Sequence, residues 1–215
     1  VHDLCPGWNL IGAPWTDVPV TALRTDPEGV LLTSNVLEYN CGAREYEPVL
    51  TLNHCRGHLV FVDEACSLWV DTSKSVSAIK KDVPKPLWEL KLNLNTNDNT
   101  FSRTLTLGAA DGATKQVDEG LDQIIPPAFP NEMDARLGAY YITDYRPEDT
   151  KITWTLVTRG EVNLSADLSN VPEDYDVYIQ YKEDLINLRE VSELTLPAGT
   201  YEVIAARRAV PVAYK

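Results

Sequence analysis

Apolar and polar residues alternate along Leu87-Trp88-Glu89-Leu90-Lys91-Leu92-Asn93-Leu94 and again along Phe101-Ser102-Arg103-Thr104-Leu105-Thr106-Leu107. A period of two places alternate side chains on opposite faces of an extended chain, so both runs predict strands buried on one face. The same period returns at Ala139–Ile142, Lys151–Val157, Glu161–Leu168, Tyr175–Tyr181 and Tyr201–Ala206, with shorter pieces at Leu185–Arg189 and Ser192–Leu196. Turn residues such as Pro197-Ala198-Gly199-Thr200 separate them, and no stretch has a convincing helical period. About nine strands spaced in this way predict an antiparallel β-sandwich over residues 87–215.

The first 72 residues are patterned more finely. Gly7-Trp8-Asn9-Leu10-Ile11-Gly12 reads as a short buried strand, and Asp17–Leu23 as one helical turn. Val30–Thr33, Val36–Tyr39 and Glu47–Leu52 read as extended, and Gly57–Val62 with Ser67–Val70 as a closing hairpin. Six short strands in so few residues predict a small barrel or roll with a thin core. Residues 73–86, rich in Ser and Lys and ending in Pro84-Lys85-Pro86, read as the linker to the second domain.

The four cysteines, Cys5, Cys41, Cys55 and Cys66, all fall in the first domain. An even, clustered set in a small β-domain predicts two disulfides and an oxidising compartment. Three pairings are open. Cys5–Cys66 with Cys41–Cys55 is favoured, because it ties the ends of the domain and closes a hairpin inside it. Charge narrows the partners. A net charge of −13 opposes the phosphates of nucleic acid and anionic lipid surfaces. No apolar run approaches the roughly 18 residues of a membrane span. The chain opens Val1-His2-Asp3 without a leader, which reads as a mature or excised segment. One glycosylation sequon, Asn163-Leu164-Ser165, is present.

Two stretches carry a resemblance. Gly7-Trp8-Asn9-Leu10-Ile11-Gly12-Ala13-Pro14-Trp15 resembles the opening of a β-module found in many secreted bacterial and archaeal surface proteins. That module closes on a Gly-x-Gly-Tyr-Trp-Val hairpin, where this chain has Arg56-Gly57-His58-Leu59-Val60. Leu107–Thr114, Asp118–Asp122 and Pro126–Pro130, followed by Asp144-Tyr145-Arg146, resemble Ig-like or jelly-roll domains near the C-termini of large surface-sorted proteins. The resemblance implies a structural role at the cell surface and transfers no catalytic residue.

Candidate chemistry is sparse. Asp111, Asp118, Glu119 and Asp122 place hard oxygen donors on a glycine-containing loop, the ligand type Ca²⁺ takes, although their spacing is not that of an EF-hand. The same aspartates suit local turns equally well. Cys41, Cys55, Cys66, His54 and His58 offer zinc donors without a paired Cys-x-x-Cys knuckle. All three histidines lie in the first domain, and no Gly-x-Ser-x-Gly elbow occurs. Tyr140, Tyr141, Tyr145, Tyr175, Tyr178 and Tyr181, with Trp88 and Trp154, supply aromatic surface for a sugar or peptide, or else for the core. The tail through Val210, Val212 and Tyr214 has the pattern of a strand that adds to a neighbour's sheet. The expectation is a non-enzymatic extracellular β-protein, a subunit of a fibre or surface layer or a module of a larger surface protein. It assembles by strand edges and possesses no required cofactor beyond a candidate Ca²⁺. A carbohydrate- or peptide-binding module is the alternative.

Overall fold

The computed structural model describes residues 1–42, 45–71, 73 and 85–208, and these are mostly strand. Among these residues the only helical element is one 3-10 turn, Val20–Ala22, inside the stretch expected to form a helical turn. The chain divides into two compact units, Val1–Asp82 and Val83–Lys215; most of the expected linker, residues 73–86, lies outside the described residues.

Among the described residues the first unit holds nine strands: β1 (His2–Leu4), β2 (Gly7–Gly12), β3 (Val18–Pro19), β4 (Leu23–Asp26), β5 (Leu31–Asn40), β6 (Glu45–Pro48), β7 (Thr51–Leu52), β8 (Gly57–Val62) and β9 (Cys66–Val70). They form three sheets, ordered β1-β9-β4, β2-β8-β5-β6 and β3-β7. The closing hairpin expected from β8 and β9 does not form. β8 lies between β2 and β5, whereas β9 lies between β1 and β4. The chain changes sheet at Asp63–Ala65, so adjacency in sequence misleads here. One core joins the sheets: Leu4, Ile11, Val36, Val60, Val62 and Leu68 are among the buried side chains that meet in it. β2 is less buried than its composition suggests, because only Ile11 of its six residues is buried.

The second unit contains β10 (Pro86–Asn95), β11 (Ser102–Ala110), β12 (Gln123–Ile124), β13 (Ala135–Leu137), β14 (Tyr141–Arg146), β15 (Lys151–Thr158), β16 (Val162–Asp167), β17 (Tyr175–Tyr181), β18 (Asp184–Asn187), β19 (Leu194–Leu196) and β20 (Gly199–Arg207). A single hydrogen-bonded path runs β18-β17-β20-β15-β13-β14-β11-β10-β16-β19, with β12 beside β14. The sheet curls until its apolar faces meet: the ring of Trp88 on β10 lies 6.2 Å from Trp154 on β15 and 5.3 Å from Tyr175 on β17. The alternation read from sequence is the cause. Trp88, Leu90, Leu92 and Leu94 are buried, and the residues between them are not.

One pairing departs from the antiparallel expectation. β11 and β14 run parallel, with Thr106 opposite Thr143 and Leu107 opposite Asp144. Parallel neighbours need a long crossover, and residues 111–140 supply it. Gly108 is required where that crossover begins, because a Cβ there would lie 2.3 Å from the Trp88 carbonyl oxygen.

Candidate functional site

Edge strands divide sharply by chemistry. β1 carries His2 and Asp3, β4 carries Arg24 and Asp26, β6 reads Glu-Tyr-Glu-Pro, and β18 begins with Asp184. β19 has three residues. Charge, proline and brevity are the usual means by which a sheet edge is kept from pairing with another chain. β2 has none of these features. Its six residues are uncharged, and among the described residues it pairs with β8 alone. Asn9 braces its entry: the side chain accepts from the Cys5 N–H and donates to the carbonyls of Cys5 and Gly7. Leu10, at the middle of the strand, is 76% exposed, and Trp15, just beyond it, is 95% exposed. The Leu10 side chain extends over Gly57, where a Cβ would sit 3.4 Å from its terminal methyl.

Beside this edge lies a polar cluster. Glu38 on β5 faces His58 on β8 across the ladder. The Glu38 carboxylate accepts from the Asn53 amide at 2.8 Å and from Arg56, and it lies 3.3 Å from His58 Nε2. Those bonds, with Asn53 foremost, hold its pKa below the usual carboxylate range. His58 is fully buried, and burial lowers its pKa against the pull of Glu38. The backbone N–H of Asn53 also lies 3.3 Å from Nε2, and Nδ1 has no partner among the described residues. Asp17 holds the same turn from the other side, accepting from the His54 backbone N–H at 2.8 Å and lying 2.6 Å from its ring. A cavity of about 580 Å³ opens over the cluster, lined by Glu38, Cys41, Glu47, Asn53 and Arg56 among others.

All four cysteines are free thiols in the structure. The expected pair Cys5–Cys66 is poorly disposed to bond. Leu4, not Cys5, stands opposite Cys66, which is buried in the core while Cys5 is exposed. The zinc donors are likewise apart in role: His54 is spent on Asp17, and His58 on the Glu38–Asn53 turn.

In the second unit the acidic loop serves its own backbone. Asp118 accepts from the Thr114 N–H at 2.6 Å and from its hydroxyl at 3.1 Å. Asp122 accepts from the N–H groups of Asp118 and Tyr145, pinning the loop to β14. Burial, opposed by those two bonds and reinforced by Asp144 and Asp118, pushes the Asp122 carboxyl up to about 7. Asp111 and Glu119 are exposed. Among the described residues no three His, Cys, Asp or Glu side chains gather in a way that could hold a metal ion, so the proposed calcium set Asp111, Asp118, Glu119 and Asp122 does not converge.

The aromatic residues separate into core and rim. Trp88, Tyr141, Tyr145, Trp154 and Tyr175 are buried, which removes them from any binding platform. Tyr140, Tyr178 and Tyr181 are half-buried. Tyr181 borders an open groove of about 640 Å³ with Gln180, Lys182, Pro197 and Glu202. Its ring is stacked on Tyr201 at 6.1 Å, and the Lys182 ammonium lies 5.1 Å from its centre, so a ligand ring must displace the lysine to stack there. Sequence reading missed a buried ionic network in which Asp134 accepts from both Arg103 and Arg136. Its only signal is the charged pair Asp134-Ala135-Arg136 inside an otherwise quiet loop. The proposed assembly residues Val210, Val212 and Tyr214 lie outside the described residues.

Compared with protein-family models, curated proteins and solved structures, the chain finds no match.

Proposed function

We propose that this chain is a structural extracellular protein, a subunit of a fibre or surface layer or a module of a larger surface protein, that assembles through a strand edge. The observation that carries this reading is β2: six uncharged residues at a sheet edge, with exposed Leu10 among them and exposed Trp15 just beyond. An edge strand offers a row of N–H and C=O groups to an incoming strand, and exposed apolar side chains beside it add burial to that pairing. The resemblance of residues 7–15 to surface modules, and of residues 107–146 to Ig-like or jelly-roll sandwiches, agrees with this role. In this reading the curled sheet of the second unit is a two-layer sandwich that serves as the spacer.

Sedimentation velocity and negative-stain electron microscopy of the full chain test the proposal. Assemblies are expected for the wild type, and monomers for Leu10→Lys with unchanged circular dichroism. A wild type that stays monomeric at high concentration, or a Leu10→Lys variant that assembles equally well, sinks it. The groove beside Tyr181 favours a second reading, a carbohydrate- or peptide-binding module, for which Tyr181→Ala is expected to abolish retention on a glycan or peptide array.

A further inference from the structure

Most cations of the second unit face a carboxylate. Arg103 and Arg136 pair with Asp134, Arg207 with Glu148 and Asp174, Arg208 with Asp176, and Lys91 with Glu89. Lys115 and Lys151 have no such partner among the described residues. Both line one cavity of about 160 Å³, together with Arg146, Asp149 and Thr153 among others. The chain has 19 basic and 32 acidic residues, so a cavity lined by three cations and one carboxylate runs against its composition. Three segments bring the cations together: Lys115 from the crossover between β11 and β14, Arg146 at the end of β14, and Lys151 at the start of β15.

Local contacts hold each segment and leave donors over. Arg146 donates from Nε to Asp144 Oδ1 at 2.8 Å and from Nη2 to Oδ2 at 2.6 Å. Asp144 is buried, so it fixes the guanidinium, and Nη1 makes no hydrogen bond among the described residues. The Asp118 carboxylate takes the N–H and the hydroxyl of Thr114, which precedes Lys115. Asp122 then ties the same loop to the N–H of Tyr145, which precedes Arg146. On β15 the Arg207 N–H donates to the Thr150 carbonyl at 2.8 Å. Alternation along an antiparallel ladder therefore turns the Thr153 N–H away from β20. β13 covers that other side only as far as Thr155, whose carbonyl accepts from Gly138 at 2.6 Å. The opposing carboxylate, Asp149, accepts from the Thr150 N–H and hydroxyl at 2.6 and 3.2 Å.

We propose that Lys115, Arg146 and Lys151 bind a tetrahedral oxyanion, a phosphate or sulfate group, between the crossover and the β14–β15 turn. The two ammonium groups act as point charges, and the guanidinium adds donors of fixed direction. Donors arriving from three segments suit oxygens that point several ways, which the two coplanar oxygens of a carboxylate do not. The cavity has room for one such group, as a free ion or as the head of an ester.

Isothermal titration calorimetry of the full chain at low ionic strength tests the site with inorganic phosphate, inorganic sulfate and glucose 6-phosphate. One saturable site per chain is expected. Lys115→Gln and Lys151→Gln, both at exposed positions, should each weaken binding roughly tenfold, about the worth of one charge-assisted hydrogen bond, with unchanged circular dichroism. Asp149→Asn keeps an acceptor for Thr150 and removes the opposing charge, so it should tighten binding several-fold. Lys91→Gln, outside the cavity, should bind like the wild type. Phosphate binding with glucose 6-phosphate excluded assigns the site to the free ion, whereas equal or tighter binding of the ester assigns it to a phosphoryl group on a larger molecule. Heats that do not saturate, wild-type affinity in Lys115→Gln and Lys151→Gln, or an equal loss in Lys91→Gln overturn the proposal.

Discussion

At the scale of single residues, Gly108 and Asp122 show how much depends on partners far along the chain. A Cβ on Gly108 would meet the Trp88 carbonyl oxygen at 2.3 Å and the Tyr145 ring at 2.8 Å. Neither neighbour yields easily, since one is backbone and the other a buried ring. Gly108→Ala is therefore expected to cost about 1–3 kcal/mol in urea unfolding. Gly12→Ala, with open space around its Cβ, should stay within about 0.5 kcal/mol. Asp122 makes a prediction in pH. Its carboxyl has a pKa raised from 3.8 to about 7 in the folded chain. Between those values the folded state holds a proton that the unfolded state has released, so stability falls as pH rises through that window and levels off above it. Asp122→Asn should flatten that slope between pH 4 and pH 7 in urea titrations monitored by tryptophan fluorescence, and an unchanged slope would show that another group carries it. None of this was legible in the sequence. The glycine and the aspartate are recognisable as turn residues, but what each one touches comes from β10 and β14.

At the scale of elements, legibility tracked length and locality. β10, β11, β15, β17 and β20 have seven or more residues, long enough for a period of two to stand out, and each was readable as a strand. β12 and β13, with two and three residues, carry no period at all. The parallel pairing of β11 with β14 and the separation of β8 from β9 were hidden for another reason. Both are decisions about which sheet a strand joins, and local alternation is silent on that. β13 shows what holds a strand too short to hold itself. Asp134, just before it, accepts from Arg136 within it and from Arg103 on β11, and the Asp134 backbone carbonyl accepts from Arg159 at 2.8 Å. Side-chain exposure is 2% for Asp134 and 7% for Arg136, so the pair is held away from water. Removing the carboxylate alone leaves a buried guanidinium uncompensated, and Asp134→Ala is expected to destabilise the second unit by about 3–5 kcal/mol. Adding Arg136→Met should recover part of that loss, because the uncompensated charge is gone. The comparison of the two urea midpoints checks this, and a double variant no better than the single would show that Arg136 contributes packing instead of charge.

At the scale of the whole molecule, two opposing features bear on the association proposed through β2. Copies of a chain with net charge −13 repel one another over the Debye length, about 20 Å at 20 mM salt and about 6 Å at 300 mM. The edge proposed to join them, β2, has no charge of its own, and Leu10 within it and Trp15 just beyond it are apolar. Salt should therefore screen the repulsion and leave the attraction intact. Association through β2 is expected to tighten several-fold between 20 and 300 mM NaCl in sedimentation velocity, and Leu10→Lys should remove the response. An interface built on opposite charges behaves the other way, since screening weakens it. The salt slope thus separates strand-edge assembly from electrostatic docking through the acidic surface, and weaker association at high salt would exclude β2 as the dominant contact. The sequence made the charge plain and placed β2 as a strand, but it predicted that strand buried. Only the sheet order, with β8 on one side of β2 and no described strand on the other, turned an expected core strand into the edge on which this test depends.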